Sequence, residues 1–278
     1  MRIAACIILY HPDPEVLRRN IEAIVPGIEA LLLWKNSPEK ILLPEGIPCR
    51  VVELGNGTNA YIAKPLNECL VWCEQNGFDW LLTMDQDSEF EDFRAFAKAA
   101  EAIPPEGVGI FAPNVNRRYP ETADAIEIES TITSGSLCSV QIAQAVGGFR
   151  EDYQIYWVDS EFCHRLHVAG YKILALPCHN LIQQFGKITV VHGIRCYNYS
   201  PTTLYFMFRN MFWMHREYRD NPNLKCILYT TQMYLKGIVL GEKNKGEKLR
   251  AAFRGILHGL SQKSDGALFY SRRRFHRI

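Results

Sequence analysis

Short apolar runs alternate with segments of helical periodicity through the first 180 residues. Residues 2–10, RIAACIILY, read as a buried strand, and Asp13-Pro14 then supplies a helix start, with Val16, Ile21, Ile24 and Val25 on one face. Strands are predicted again at 30–36 and 49–55, and a helix at 62–75 with Leu66, Cys69, Leu70 and Cys73 along one side. A strand at 80–85, a helix near 90–102 and a strand at 109–115 lead into a strand-rich stretch at 126–140. A helix at 159–169 and a strand at 172–177 close the series. Such alternation predicts an α/β fold, with a Rossmann-like, mainly parallel central sheet covered by helices on both faces. In such sheets ligands gather at the carboxyl ends of the strands.

After about residue 200 the style changes. TTLYFMFRNMFWMHREY and CILYTTQMYLKGIVL are aromatic-rich and helix-compatible, with few turn signals. They divide the chain into a domain at 1–200 and a helical extension at 201–278, with helices packed on the core or forming an apolar shelf. Hydrophobic residues make up 47% and charged residues 22%, as in a globular protein with a real core. The net charge of +1 gives no field for nucleic acid, but from Gly241 onward 10 Lys/Arg stand against 3 Asp/Glu, ending in Arg272-Arg273-Arg274. That basic tail is either a solvated terminus or one that lies against anionic lipid or another polyanion. Nine cysteines without a C-x-x-C pair fit buried thiols rather than a disulfide framework or a zinc site. With no signal-like or membrane-spanning apolar run, the expected location is cytoplasmic, free or peripheral at the inner face of the membrane.

The strand at 80–85 runs into Asp85-Gln86-Asp87. In an extended segment residues i and i+2 point the same way, so the two carboxylates converge just past the strand. They repel one another unless a cation answers them. A divalent cation sharing its remaining positions with phosphate oxygens is one solution, and it suits a diphosphate leaving group. An EF-hand is excluded, because Phe90 and Phe96 occupy the positions that need Gly and Glu. A haloacid dehalogenase-type phosphohydrolase would use the same pair but carry Thr where Glu89 stands. A solvated strand end is the plainest alternative, since D-x-D alone is a weak signal.

The surrounding segment, NAYIAKPLNECLVWCEQNGFDWLLTMDQDS (59–88), resembles family 2 inverting glycosyltransferases, particularly rhamnosyltransferase-like members. Asn59, Ile62, Ala63, Leu66 and Asn67 match, while Tyr61 and Pro65 replace the usual Gly and Ala. ILYHPD, WKNSPE, TSGSL, GGFRED, WVDSEFCHRLHVAGY and NYSPTTLYFMFRN follow in the family's order, so the resemblance covers about residues 3–260. It implies a GT-A fold, a nucleoside-diphosphate sugar donor, Mg2+ or Mn2+, and inversion at the anomeric carbon. The donor would be dTDP-rhamnose or a UDP- or GDP-sugar, and the acceptor a glycan or lipid-linked, as in surface polysaccharide assembly.

Residue by residue, the resemblance places Asp159 as general base, the alternative for it alone being a helix N-cap. Glu161 and Arg165 are either acceptor contacts, with Glu161 as a second candidate base, or a pair on the helix surface. Asp85 and Asp87 would hold the metal, Asp85 with a further option at the ribose. Tyr10, Asn36 and Asn59 would line the nucleotide pocket, and Ser134-Gly135 would let backbone approach the donor sugar. Many members carry His where Gln183 stands here; His192 is the expected substitute as metal ligand. These departures keep a non-catalytic nucleotide-sugar binder open beside the transferase.

Overall fold

The computed structural model describes residues 1–184, 188–218 and 221–262. It divides into two compact units, Met1–Phe149 with Asp159–Gln184, and Arg150–Val158 with the described residues from 188 onward. The expected basic tail, including Arg272-Arg273-Arg274, lies outside the described residues.

In the first unit β1 (Ile3–Leu9) and β2 (Ala30–Lys35) are buried almost throughout, which is why both read as unbroken apolar runs. Between them α1 (Pro14–Ile24) begins where the Asp13 carboxylate accepts the backbone N–H groups of Glu15 and Val16 at 3.0 and 3.1 Å. Its buried face is Leu17, Ile21 and Ile24, with Leu17 rather than Val16 innermost. There follow β3 (Arg50–Leu54), α2 (Ala63–Gln75), β4 (Trp80–Asp85), β5 (Ser88–Phe90), α3 (Phe93–Glu101), β6 (Val108–Val115) and β7 (Ile126–Glu127). Then come β8 (Ser136–Ser139), α4 (Val140–Ala145), α5 (Val158–Val168) and β9 (Lys172–Gln183).

The strand order is β3-β2-β1-β4-β8-β6-β9-β5, with β7 paired to β9. The first four strands are parallel, β8 runs antiparallel between β4 and β6, and β6 and β9 are again parallel. Register sets Ile8 beside Asp85 and Leu9 beside Lys35, so the carboxyl ends of β1, β2 and β4 meet at one edge.

Two elements differ from expectation. Within 126–140 only β7 and β8 are strands, and residues 128–135 form a loop. Its hydroxyl-rich composition turns the backbone on itself: Ser136 Oγ donates to the Ile132 carbonyl at 2.6 Å, and Gly135 takes φ +78°. Conversely β9 continues past Pro177 to Gln183, because beyond a register shift its second half pairs with both β6 and β5.

The second unit holds the hairpin β10 (Thr189–Val191) and β11 (Ile194–Cys196) and helices α6 (Pro201–Glu217), α7 (Leu224–Gly241) and α8 (Lys245–Ser261). Leu204, Met207, Phe208, Met211, Ile227, Ile238 and Ala252 form its core. Asn210, fully buried on α6, donates to the carbonyls of Tyr153, Ile155 and Tyr156 at 2.7–2.9 Å and so fixes that loop. Among the described residues no helix is long and apolar enough to cross a membrane.

Candidate functional site

The site lies in the first unit, at the carboxyl edge of β1, β2 and β4. Asp85 closes β4, and its backbone is held from two sides. Its carbonyl accepts from the buried Asn20 amide at 2.7 Å, and its N–H donates to Ser134 Oγ at 3.0 Å. The side chain joins the same network. Gln183 Nε2 donates to Asp85 Oδ2 at 3.1 Å, Ser88 Oγ donates to Gln183 Oε1, and Ser134 Oγ donates to Ser88 Oγ at 2.6 Å. Asp85, Gln183, Ser88 and Ser134 therefore form a closed ring of hydrogen bonds linking β4, β5, β9 and the 128–135 loop. Gln183, noted above only as a departure from the usual His, is thus a direct partner of Asp85.

The Asp85 carboxyl is pushed up to about 6, first by burial and then by the charges of Asp87 and Asp159, against which the Gln183 hydrogen bond works. Asp87, on the exposed turn after β4, is also raised by burial. Among the described residues no Lys, Arg or His forms an ion pair with Asp85, Asp87 or Asp159. The electrostatics ask for a cation that the described residues do not supply, and oxygen ligands of this kind suit a hard divalent ion. The fit extends to two carboxylates only. Among the described residues no three His, Cys, Asp or Glu side chains gather to hold a metal. His192 is exposed in the two-residue turn between β10 and β11, where φ values of +48° at His192 and +76° at Gly193 make it a turn residue.

Asp159 stands in the first turn of α5. Its Oδ1 accepts the Ser160 backbone N–H at 2.8 Å, yet burial still raises its carboxyl above the usual range. It lines a small pocket with Thr131, Thr133, Phe149 and Phe162, against the loop that also supplies Ser134 to the Asp85 ring. A cavity of about 820 Å3 lies elsewhere, lined in part by Phe78, Trp80, Glu101 and Tyr171. It abuts the amino end of β4 and touches none of the candidate residues.

On the nucleotide side Tyr10 is 49% exposed at the end of β1, an accessible ring. Gln86 pins it: Tyr10 N–H donates to Gln86 Oε1 at 2.8 Å and Gln86 Nε2 donates to the Tyr10 carbonyl at 3.0 Å. Sequence reasoning missed this role, although Gln86 sits between the two aspartates. Asn36 is buried and its amide acts on the scaffold. Oδ1 accepts from Trp34 Nε1 and the Ala60 N–H, and Nδ2 donates to the Tyr61 carbonyl at 2.7 Å. Asn59 is exposed and accepts the Tyr61 N–H in an Asx turn at 2.8 Å. Tyr61 itself has φ +60°, the left-handed conformation that the usual Gly adopts without strain. Pro65, the other departure, falls in the first turn of α2, where its missing N–H is not needed.

Two expected roles are corrected. Glu161 is fully buried and Arg165 is 2% exposed, with both Glu161 oxygens held by Arg165 at 2.7 and 2.8 Å. Arg165 also donates to the Val146 and Gly148 carbonyls at 2.6 Å each. The pair is an internal clamp on the 146–148 turn, not a surface pair, an acceptor contact or a second base. At Gly135 the missing side chain faces the core, since a Cβ there would meet Leu181 at 2.8 Å and Pro113 at 2.9 Å. Gly135 serves packing and a tight turn rather than approach to a sugar. Ser134 is buried and acts through the Asp85 ring.

No protein-family model matches the chain. In sequence it is 24% identical over 237 residues to dTDP-rhamnosyl transferase RfbF of Shigella flexneri, covering 77% of this chain and 79% of that protein. In fold it is similar to GalNAc-T7, solved with UDP, GalNAc and Mn2+, at TM-score 0.56 and 11% identity. That alignment covers 99% of this chain but 58% of the other, so the chain spans little more than half of that relative. It is also similar to mannosyltransferase PcManGT from Pyrobaculum calidifontis, solved with GDP-Man and Mn2+, at TM-score 0.55 and 13% identity over 96% of this chain and 77% of that one. The fold is thus of the GT-A type that these glycosyltransferases share. In sequence the chain is similar to a rhamnosyl transferase, and the phosphohydrolase reading is not favoured.

Proposed function

We propose that the chain moves a sugar from a nucleoside diphosphate to an acceptor hydroxyl in one in-line displacement, with inversion at the anomeric carbon. The observation that carries this reading is the set of Asp85, Asp87 and Asp159. These are raised carboxylates in one unit, without cationic partners among the described residues; Asp85 and Asp87 stand at the carboxyl end of β4, where α/β sheets bind ligands, and Asp159 in the first turn of α5. Asp159 takes the proton of the attacking hydroxyl, which its raised basicity suits. Asp85 and Asp87 would hold Mg2+ or Mn2+, which when bound neutralises the departing diphosphate. Tyr10 offers its exposed ring to the base, while Asn36 and Asn59 shape the adjoining loop. The likeness to the Shigella enzyme supports dTDP-rhamnose as donor ahead of UDP- or GDP-sugars, and a glycan or lipid-linked acceptor in surface polysaccharide assembly.

The test combines ligand-induced stabilisation with turnover. Thermal midpoints should rise with a nucleoside-diphosphate sugar plus Mn2+, most with dTDP-rhamnose, because a ligand bound only by the folded state stabilises it. Asp159→Asn should keep that rise and lose transfer. Parent-rate transfer by Asp159→Asn would remove the base assignment. Intact donor after long incubation of the parent with an acceptor panel would favour a non-catalytic binder.

A further inference from the structure

The last two helices of the second unit carry exposed faces that hold none of the candidate site residues. The rotation of α8 is settled by its contact with α6. A Cβ at Gly255 would meet the Tyr205 carbonyl oxygen at 2.4 Å, and one at Gly259 the Arg209 carbonyl oxygen at 2.7 Å. Ala252 and Lys248 are buried on the same side. At about 100° per residue the opposite side carries Arg250, Phe253, Arg254, Leu257 and Leu260, all exposed. On α7, Ile227 and Ile238 turn inward, leaving Lys225, Leu228, Tyr229, Lys236, Val239 and Leu240 exposed. More than half of the large exposed hydrophobic side chains among the described residues lie on these two helices.

The exposed charge on these two helices is predominantly basic. α7 contains no acidic residue, and Lys243 and Lys245 are exposed between the helices. Glu242 is buried and paired with Lys248 at 2.6 Å, so Glu247 is the single exposed acid from 224 to 261. An apolar face alone would suit a second copy of the chain. A two-fold interface, however, sets the same patch against itself, which brings Arg250, Arg254 and the exposed lysines toward their own copies. An anionic surface meets both the charge and the apolar side chains.

We propose that the outward faces of α7 and α8 dock the protein on a membrane containing anionic lipid. The arginines and lysines engage headgroups while Phe253, Leu257 and Leu260 enter the acyl boundary. The inference goes beyond the transfer reading and does not rest on it. The experiment is flotation of the full chain with vesicles of phosphatidylcholine alone, or of phosphatidylcholine mixed with phosphatidylglycerol. Light scattering is run on the same samples. The parent should float with the anionic vesicles only, and release on raising salt. Two exposed double substitutions, Phe253→Ser with Leu257→Ser and Arg250→Glu with Arg254→Glu, should each weaken partition by about tenfold or more. Unchanged thermal midpoints and nucleoside diphosphate binding would show both variants folded. A parent that stays with the soluble fraction overturns the proposal, as do variants that float like the parent. A parent dimer that the Phe253→Ser/Leu257→Ser variant dissociates, without vesicle binding, would make the face a contact between copies instead.

Discussion

The first unit withdraws carboxylates from water in two opposite ways. Glu161, with no exposed surface, gives both oxygens to Arg165, whose remaining donors hold the 146–148 turn. Asp85 receives one neutral amide hydrogen bond at 3.1 Å, and the negative charges of Asp87 and Asp159 face it. The first arrangement is complete within the fold and does structural work. The second has no cationic partner among the described residues, which leaves it open to stabilisation by a bound cation. Uncompensated charge, more than burial or residue type, separates the site from the scaffold.

The comparison can be broken most sharply at Asp159. Asp159→Asn should lower turnover by about 10^2 to 10^4, the usual worth of a general base, with donor binding retained. Its raised carboxyl also sets a pH dependence. The base acts ionised, so the parent rate falls as pH drops through a value above the ordinary carboxylate range of about 3.9, and that limb should vanish in the residual activity of the variant.

Stability should then move in opposite directions at the two carboxylates. Glu161→Ala strands a buried guanidinium and is expected to cost about 3–5 kcal/mol in denaturant unfolding. Asp85→Asn should instead stabilise the metal-free protein at neutral pH by on the order of 1–2 kcal/mol, while abolishing metal-dependent donor binding. The sign follows from linkage. With a folded value of about 6, above the ordinary one, the native state binds the proton more tightly than the unfolded chain. Parent stability therefore declines as pH rises through that window, and the advantage of Asn should disappear near the acid end. Unfolding curves with a chelator present check both, and a destabilised Asp85→Asn would contradict the contrast.

The smallest effect is expected at Gln183. Gln183→Leu opens the hydrogen-bonded ring without touching Asp159, so about a tenfold rise in donor KM is expected with kcat little changed, equivalent to about 1.4 kcal/mol. An equal fall in kcat would assign Gln183 a larger part in the transition state.

Much of this was legible along the chain. Apolar runs reported the strands because both faces of the sheet are covered, and the abrupt end of WLLTM at Asp85 marked the carboxyl edge. The i, i+4 spacing of Glu161 and Arg165 announced a pair, but spacing on a helix does not say whether it faces water or the core. Ser88 and Gln183 are 95 residues apart, and no local pattern marks them as joined through Asp85 and Ser134. Gly135 was read as a vacancy for a sugar, whereas Leu181 and Pro113, distant in sequence, fill that space.

Local sequence set the order of strands and helices, the strand ends marked by Tyr10 and Asn36 just past β1 and β2 and by Asp85 closing β4, and the candidate base. Each depends on local composition and period, which neighbouring residues specify. Only the tertiary structure decided which charges were answered. It closed the ring around Asp85, buried the Glu161–Arg165 clamp, and placed His192 in a hairpin turn. Compensation of a charge depends on distances between segments far apart in the chain, and those exist only once the sheet has formed.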